Sequence, residues 1–155
     1  MNNKVSIFKS LKIFVFIISD TKTESTDKSG KILENRIKQS GHSLVGKIFI
    51  KDEPKLIKKG ILKVIKEKKT HVVILTGGTG LTGRDSTPEV LKEIITREIP
   101  GFGEIFRYLS YKKIGTSSLQ SRALAGIVEH TFVFALPGSP NACKDAWDEI
   151  LKFQL

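Results

Sequence analysis

Asp52 and Asp85 are the residues whose placement most suggests chemistry. Each follows a short apolar run, so two carboxylates leaving two strands can reach one crevice. Asp85 lies late in the stretch Val72 to Pro88, VVILTGGTGLTGRDSTP, in which four glycines (Gly77, Gly78, Gly80 and Gly83) fall within seven residues. Glycines so dense permit left-handed backbone angles and close approach of a ligand to main-chain N–H groups. Thr87 as N-cap and Pro88 as first helical residue then predict a helix start. A strand, a glycine turn and a helix start together build an anion pocket, because free N–H groups and the positive helix end face the ligand. Two carboxylates beside such a turn suit a hydrated magnesium ion shared with a nucleotide. Simpler roles stand beside these: Asp52 can cap the helix beginning at Pro54, Asp85 can pair with Arg84, and the glycines can merely form a tight turn. An Arg–Asp pair immediately beside that turn has no packing purpose.

Two generic motifs fail in context. Gly78-x-Gly80-x-x-Gly83 fits the dinucleotide fingerprint, which also requires an acidic residue closing a second strand about 20 residues on. Pro100–Gly101–Phe102–Gly103–Glu104 occupies that distance and reads as a rigid turn. The phosphate-binding P-loop needs Lys and Ser/Thr where Arg84 and Asp85 stand. His42, His71 and His130 are too dispersed for a metal site or triad, Cys143 has no acid–base partner in view, and no serine sits in a nucleophile elbow. Phosphoryl or nucleotidyl transfer fits the remaining residues better than covalent hydrolysis.

The elements that would position these groups alternate along the chain. Ile13–Ile18 reads as a central strand, apolar on both faces, and ends at Ser19–Asp20–Thr21. A helix carrying Ile32, Leu33 and Ile37 stops at Gly41. His42 to Ile50 is a second strand nearer the edge, followed by a helix with Leu56, Ile57, Gly60, Ile61, Val64 and Ile65 on one stripe. After the glycine turn comes a helix with Val90, Leu91, Ile94 and Ile95. Glu104–Tyr108 and Leu119–Val128 read as helical pieces separated by Gly115–Ser118. Thr131–Leu136 is the last strand, and Ser139 with Pro140 repeats the cap-and-proline device ahead of a helix burying Ala142, Ala146, Trp147, Ile150 and Leu151. The pattern predicts a three-layer α/β/α sandwich with a mostly parallel central sheet. Ligands bind such sheets beyond the carboxyl ends of the strands, where four polar or glycine-rich loops converge.

The 155 residues fit a single domain spanning 1–155, large enough for its own core. One cysteine excludes an internal disulfide and suits a reducing compartment. The run Ile13–Ile18 follows Lys4, Lys9 and Lys12 but is too short for a secretion signal or a membrane span, so a cytoplasmic protein with no membrane partner is expected. The net charge of +10 arises from scattered lysines. Without interleaved aromatics or a nucleic-acid motif it reads as a solvated surface, not a nucleic-acid interface. A modest positive field also favours a phosphorylated small molecule.

Four ordered segments resemble one known family. TGGTGLTGRDSTPE at 76–89, EIPGFGEIFRYLS at 98–110, QSRALAG at 120–126 and LPGSPNACKDAW at 136–147 look like the molybdopterin adenylyltransferase family of molybdenum-cofactor biosynthesis, the MoaB/MogA type. GRDSTPE and QSRALAG follow the MoaB-like pattern more closely. The resemblance implies the fold of that family, assembly as a homotrimer or homohexamer, and transfer of AMP from Mg-ATP to molybdopterin with release of pyrophosphate. It implies Mg²⁺ as cofactor, and other molybdenum-cofactor pathway proteins as partners. Asp52 and Asp85 match the family's two functional aspartates, expected to act in catalysis and on the metal. Gly77, Gly78, Thr79 and Gly80 would cradle nucleotide phosphates. Gly138 and Ser139 would hold nucleotide or pterin phosphate, Ser19 and Asp20 would line the pocket, and Arg122 would bind an anion or support a subunit contact. Asp27 and Gly30 also match the pattern, with no assigned role. The alternative is a non-catalytic molybdopterin-binding or accessory protein of the same pathway.

Overall fold

The computed structural model describes residues 7–155; Lys4 of the expected N-terminal lysine group lies outside the described residues. Strict alternation in β1 (Lys12–Ile18) organises the fold. Ile13, Val15 and Ile17 face one core, and Phe14, Phe16 and Ile18 face the other, all at most 4% exposed. A strand buried on both faces needs helices on both sides and strands at both edges. Its neighbours are β2 (Ser43–Ile50) and β3 (Val72–Thr76), both parallel to it.

On the first face α1 (Lys28–Gln39) contributes Leu33 and Ile37, which pack with Trp147 and Leu151. On the second, α2 (Pro54–Lys68) and α3 (Thr87–Ile94) contribute Ile57, Ile61, Val90 and Leu91. Burying each such aliphatic side chain contributes roughly 1.5–3 kcal/mol before entropy is subtracted. The chain continues through β4 (Arg97–Glu98), α4 (Pro100–Ile114), a 3₁₀ turn (Gly115–Gln120), β5 (Leu124–Val128), β6 (Thr131–Leu136) and α5 (Pro140–Ala146). A π-turn over Trp147–Leu151 and a short turn at Lys152–Gln154 extend α5. The six described strands form one sheet in the order β2-β1-β3-β6-β5-β4, and among them the pairing is antiparallel only where β5 meets β6 and β4. The three-layer, mostly parallel architecture is as expected, and β2 does lie at the edge. No described helix is long and apolar enough to cross a membrane.

Three local expectations are corrected. Leu119–Val128 is not helical: Leu124–Val128 is a strand hydrogen-bonded along β6, since a short apolar run takes whichever form its neighbours complete. Pro100–Gly103 is no free turn but the first turn of α4, where proline lacks only an N–H the helix does not use and Phe102 is buried. Thr87 lies inside α3 and Ser86 precedes it as cap; the Thr87 hydroxyl instead donates to Gly77 O at 3.1 Å.

Cys143 on α5 is fully buried beside the Thr76 hydroxyl, at 3.1 Å. Burial pushes its thiol up to about 11. The native thiol is therefore expected to resist alkylation at pH 8, where only about one molecule in a thousand carries the thiolate, and to react fully once unfolded. An unfolded thiol ionises near pH 8.5, about where this contribution to stability begins to fall; it is lost as pH rises through the folded value. Alkylation rates with and without denaturant check this.

Candidate functional site

The chain leaves β1 for β2 on one side, while β3 lies on the other, so the order of connections reverses between β1 and β3. That reversal opens a crevice beyond the strand ends, the place where open α/β sheets take their ligands. Ser19–Asp20 leaves β1, Asp52 leaves β2, Gly77–Asp85 leaves β3 and Gly138–Ser139 leaves β6. The four loops expected to converge do converge.

Asp52 does not cap α2. That cap position belongs to Glu53, which makes no side-chain bond to the helix. Asp52 Oδ1 instead accepts from the Ser86 amide at 3.1 Å and its hydroxyl at 2.7 Å. A carboxylate at the cap amide just ahead of α3 is favoured by the positive end of that helix. The neighbouring Asp85 is held within its own loop, accepting at Oδ2 from the Thr82 amide at 2.9 Å and hydroxyl at 2.5 Å. The Thr82 hydroxyl, chiefly, holds the Asp85 carboxyl below its ordinary range, against a smaller opposing effect of burial. Its stabilising contacts are complete above the ordinary carboxylate range and are lost as pH falls through the lowered value. Ser86 thus joins the two aspartates, bonded to Asp52 through space and to Asp85 through the chain. Arg84 pairs with Asp20 at 2.7 Å, not with Asp85, and Asp20 also accepts from the Asp52 amide at 3.2 Å.

The glycine turn needs its glycines at the base. Gly77 has φ +103°, and a Cβ there would stand 2.2 Å from the Ile18 carbonyl oxygen. At Gly78, with φ +65°, a Cβ would meet the Thr87 hydroxyl at 2.4 Å and Asp52 Oδ2 at 2.8 Å. The outer limb is held by Arg122, which donates to Thr79 O at 3.2 Å, Gly80 O at 2.5 Å and Asp85 O at 2.9 Å, and pairs with Glu89 in the first turn of α3. Its guanidinium is therefore a clamp on the loop, not a free anion ligand, and the Thr79 side chain is buried beneath. An Arg122→Lys variant keeps the charge but cannot span three carbonyls. It is expected to lose roughly 2 kcal/mol, lowering Tm by about 4–8 °C, as thermal unfolding will measure.

On the far wall, the Gly138 carbonyl accepts from the Lys22 ammonium at 3.0 Å and the Ser29 hydroxyl at 2.7 Å. Ser139 caps α5, accepting from the Ala142 amide at 3.2 Å, as expected. Ser19 spends its hydroxyl on the Thr21 and Lys22 amides. Asp27 gains a role as the cap of α1, its Oδ1 accepting from the Gly30 amide at 2.8 Å. Sequence reading missed Thr82, Ser86 and Lys22. The Thr82-x-x-Asp85 spacing is a signal for the first of these; Ser86 and Lys22 reach partners 34 and 116 positions away, which no local pattern announces. Pro54, Leu81, Thr82, Gly83, Asp85, Ser86, Glu89 and Arg122 line an open cleft of about 350 Å³ beside the turn. Asp85 lines that cleft, while Asp52 and the Gly77–Gly80 amides lie behind it, reached through Ser86. Carboxylates, free amides and a helix start so arranged can hold a phosphorylated ligand and a hard cation.

Residues 14–155 match the family described as the probable molybdopterin binding domain. Molybdenum cofactor biosynthesis protein B of Escherichia coli (strain K12) is 42% identical over 148 residues, covering 96% of this chain and 87% of that protein. A crystal structure of a molybdenum cofactor biosynthesis protein B superposes with a TM-score of 0.91 at 37% identity, covering 94% of this chain and 91% of that one. The tungsten cofactor synthesizing protein MoaB from Pyrococcus furiosus gives a TM-score of 0.80 at 32% identity, covering 93% and 92%. With the strand order, the crevice and these matches in agreement, the chain belongs to the molybdopterin-binding domain family of the MoaB type.

Proposed function

We propose that this chain acts in molybdenum cofactor biosynthesis, transferring AMP from Mg-ATP to molybdopterin and releasing pyrophosphate. The observation that carries the reading is the pair of aspartates, Asp52 and Asp85, joined through Ser86 beside the glycine turn at the β1/β3 reversal. In the proposed reaction a phosphate oxygen of molybdopterin bonds to the α-phosphorus of ATP, and the bond from that phosphorus to the bridging oxygen breaks. The leaving electron pair departs with pyrophosphate.

The chain's own groups fit magnesium. Among the described residues no three His, Cys, Asp or Glu side chains form a protein-only metal cage. Magnesium binds through one or two carboxylates plus substrate phosphates and water, so the two hard aspartate oxygen donors suffice. When bound, the ion supplies charge neutralisation at the phosphates. Asp52 and Asp85 would hold it, amides of the Gly77–Gly80 turn would hold the nucleotide phosphates, and the Gly138–Ser139 turn would hold the second phosphorylated group. Arg122 and Asp20 act by fixing the loops.

One observation favours a second reading, a non-catalytic molybdopterin-binding or accessory protein. Among the described residues, both arginines of the crevice are spent, Arg122 on loop carbonyls and Arg84 on Asp20. Arg122 would have to release loop carbonyls, and Arg84 an exposed ion pair with Asp20, before either could stabilise charge developing at a reacting phosphate. Incubation with Mg-ATP, with and without molybdopterin, separates the readings. Pterin-dependent pyrophosphate release supports the transferase; pterin binding without release supports the binding protein. A homotrimer or homohexamer belongs to the same proposal. It is supported by the groove of about 370 Å³ between α4, β6 and the C-terminal turns, flanked by exposed Ile105 and Phe132. Sedimentation equilibrium decides the assembly.

A further inference from the structure

We propose that the groove between β2 and α2 docks an extended acidic segment of a partner protein, added as a further strand on the open edge of the sheet. Among the described residues β2 is the terminal strand of the sheet and pairs only with β1. Its outer backbone edge is thus available for hydrogen bonding to another chain, the arrangement that strand addition uses. Edges of this kind are usually guarded by an outward charge on the strand itself. Here the one charge within β2, Lys47, is turned under α1 into the carboxylates of Glu24, Asp27 and Glu34 and does not guard the edge.

The surface beside that edge has a definite chemistry. Phe49, Ile50, Leu56 and Gly60 form an apolar floor, and Lys51, Lys59 and Lys63 form the rim of a groove of about 400 Å³. Leu56 is 43% exposed and Ile48, on the neighbouring strand position, 38%. None of the three rim lysines has a described carboxylate within ion-pair distance, whereas Lys58 on the same helix is paired with Glu93. An apolar floor, a cationic rim and an open strand edge together fit a segment that alternates apolar and acidic side chains. Every second side chain enters the groove, the carboxylates meet the rim, and the main chain extends the sheet. Nucleic acid would use the lysines but neither the strand edge nor the apolar floor. A second copy docked edge to edge would bring its own Lys51, Lys59 and Lys63 towards a rim that is already positive. The rim ends at Lys51, next to Asp52, so a docked segment reaches the mouth of the crevice. The proposal does not depend on the reaction assigned there.

A fluorescent peptide alternating glutamate and valine is the probe, titrated into the full chain by anisotropy. The comparisons are polyglutamate, a generic DNA duplex, and a Lys59→Glu/Lys63→Glu variant whose exposed side chains are not needed for folding. The expected result is saturable peptide binding, weakened at least about tenfold by the double reversal. Amide exchange is expected to slow along Ser43–Ile50 in the complex. Polyglutamate binding as tightly as the peptide would overturn the proposal, as would unchanged exchange along β2 or unchanged affinity in the variant. Displacement of the peptide by duplex with a steep salt dependence would overturn it in favour of nucleic acid.

Discussion

Asp85→Asn is expected to lower pyrophosphate release by about 10²–10³-fold while the protein folds normally. Asparagine keeps an oxygen to accept from the Thr82 amide and hydroxyl, so the loop contacts at 2.9 and 2.5 Å survive. What it removes is the negative charge. In the proposed reaction that charge holds magnesium against the reacting phosphates, and a neutral amide oxygen is a much poorer ligand for a hard cation. Loss of rate with retained molybdopterin affinity would place Asp85 at the chemistry. Equal loss of both would assign it to binding. The Asp52→Asn variant differs in an instructive way, because its carboxylate also docks on the Ser86 amide at the start of α3. Part of its effect is therefore expected in stability, and unfolding midpoints of the two variants will separate these contributions.

The largest effect on stability is expected at Gly77. Gly77→Ala forces an L side chain to φ +103° and drives its Cβ to 2.2 Å from the Ile18 carbonyl oxygen, a main-chain atom that cannot swing away. Left-handed strain and a backbone clash together are expected to cost roughly 3 kcal/mol or more. Relief of that clash would move β3 away from β1 at the crevice, so ligand affinity is expected to fall with stability. Gly83→Ala is the control. A Cβ there meets nothing within 4 Å, and the change is expected to stay within about 0.5 kcal/mol of the parent in a urea titration.

That contrast shows how far residue types alone carry. Glycine density marked the turn, yet it did not distinguish Gly77, which the backbone demands, from Gly83, which it tolerates. The distinction lies in the Ile18 carbonyl, distant in sequence. The two-faced burial of β1 was legible because alternation and a six-residue apolar run leave few other fates. β5 was not legible, because Leu124–Val128 has the composition of either a buried helix turn or a strand, and only the antiparallel edge of β6 decides. The site divides in the same way. Ser139 was readable as a cap from its own neighbours, and its hydroxyl does cap α5. Capping of α2 stood as the simpler alternative for Asp52, and sequence could not exclude it because its partner, Ser86, arrives from another loop. Arg122 is expected to meet an anion or a neighbouring subunit; its bonds to the loop carbonyls of Thr79, Gly80 and Asp85, some forty positions away, could not be read from local sequence.

The most direct test of the transferase follows the atoms. Wild-type protein would be incubated with magnesium, molybdopterin and ATP radiolabelled at either the α- or the γ-phosphate, and the pterin product separated. Adenylyl transfer predicts α-label on the pterin and γ-label in pyrophosphate. Label on the pterin from the γ-position, or none from either position while molybdopterin is bound, would contradict it.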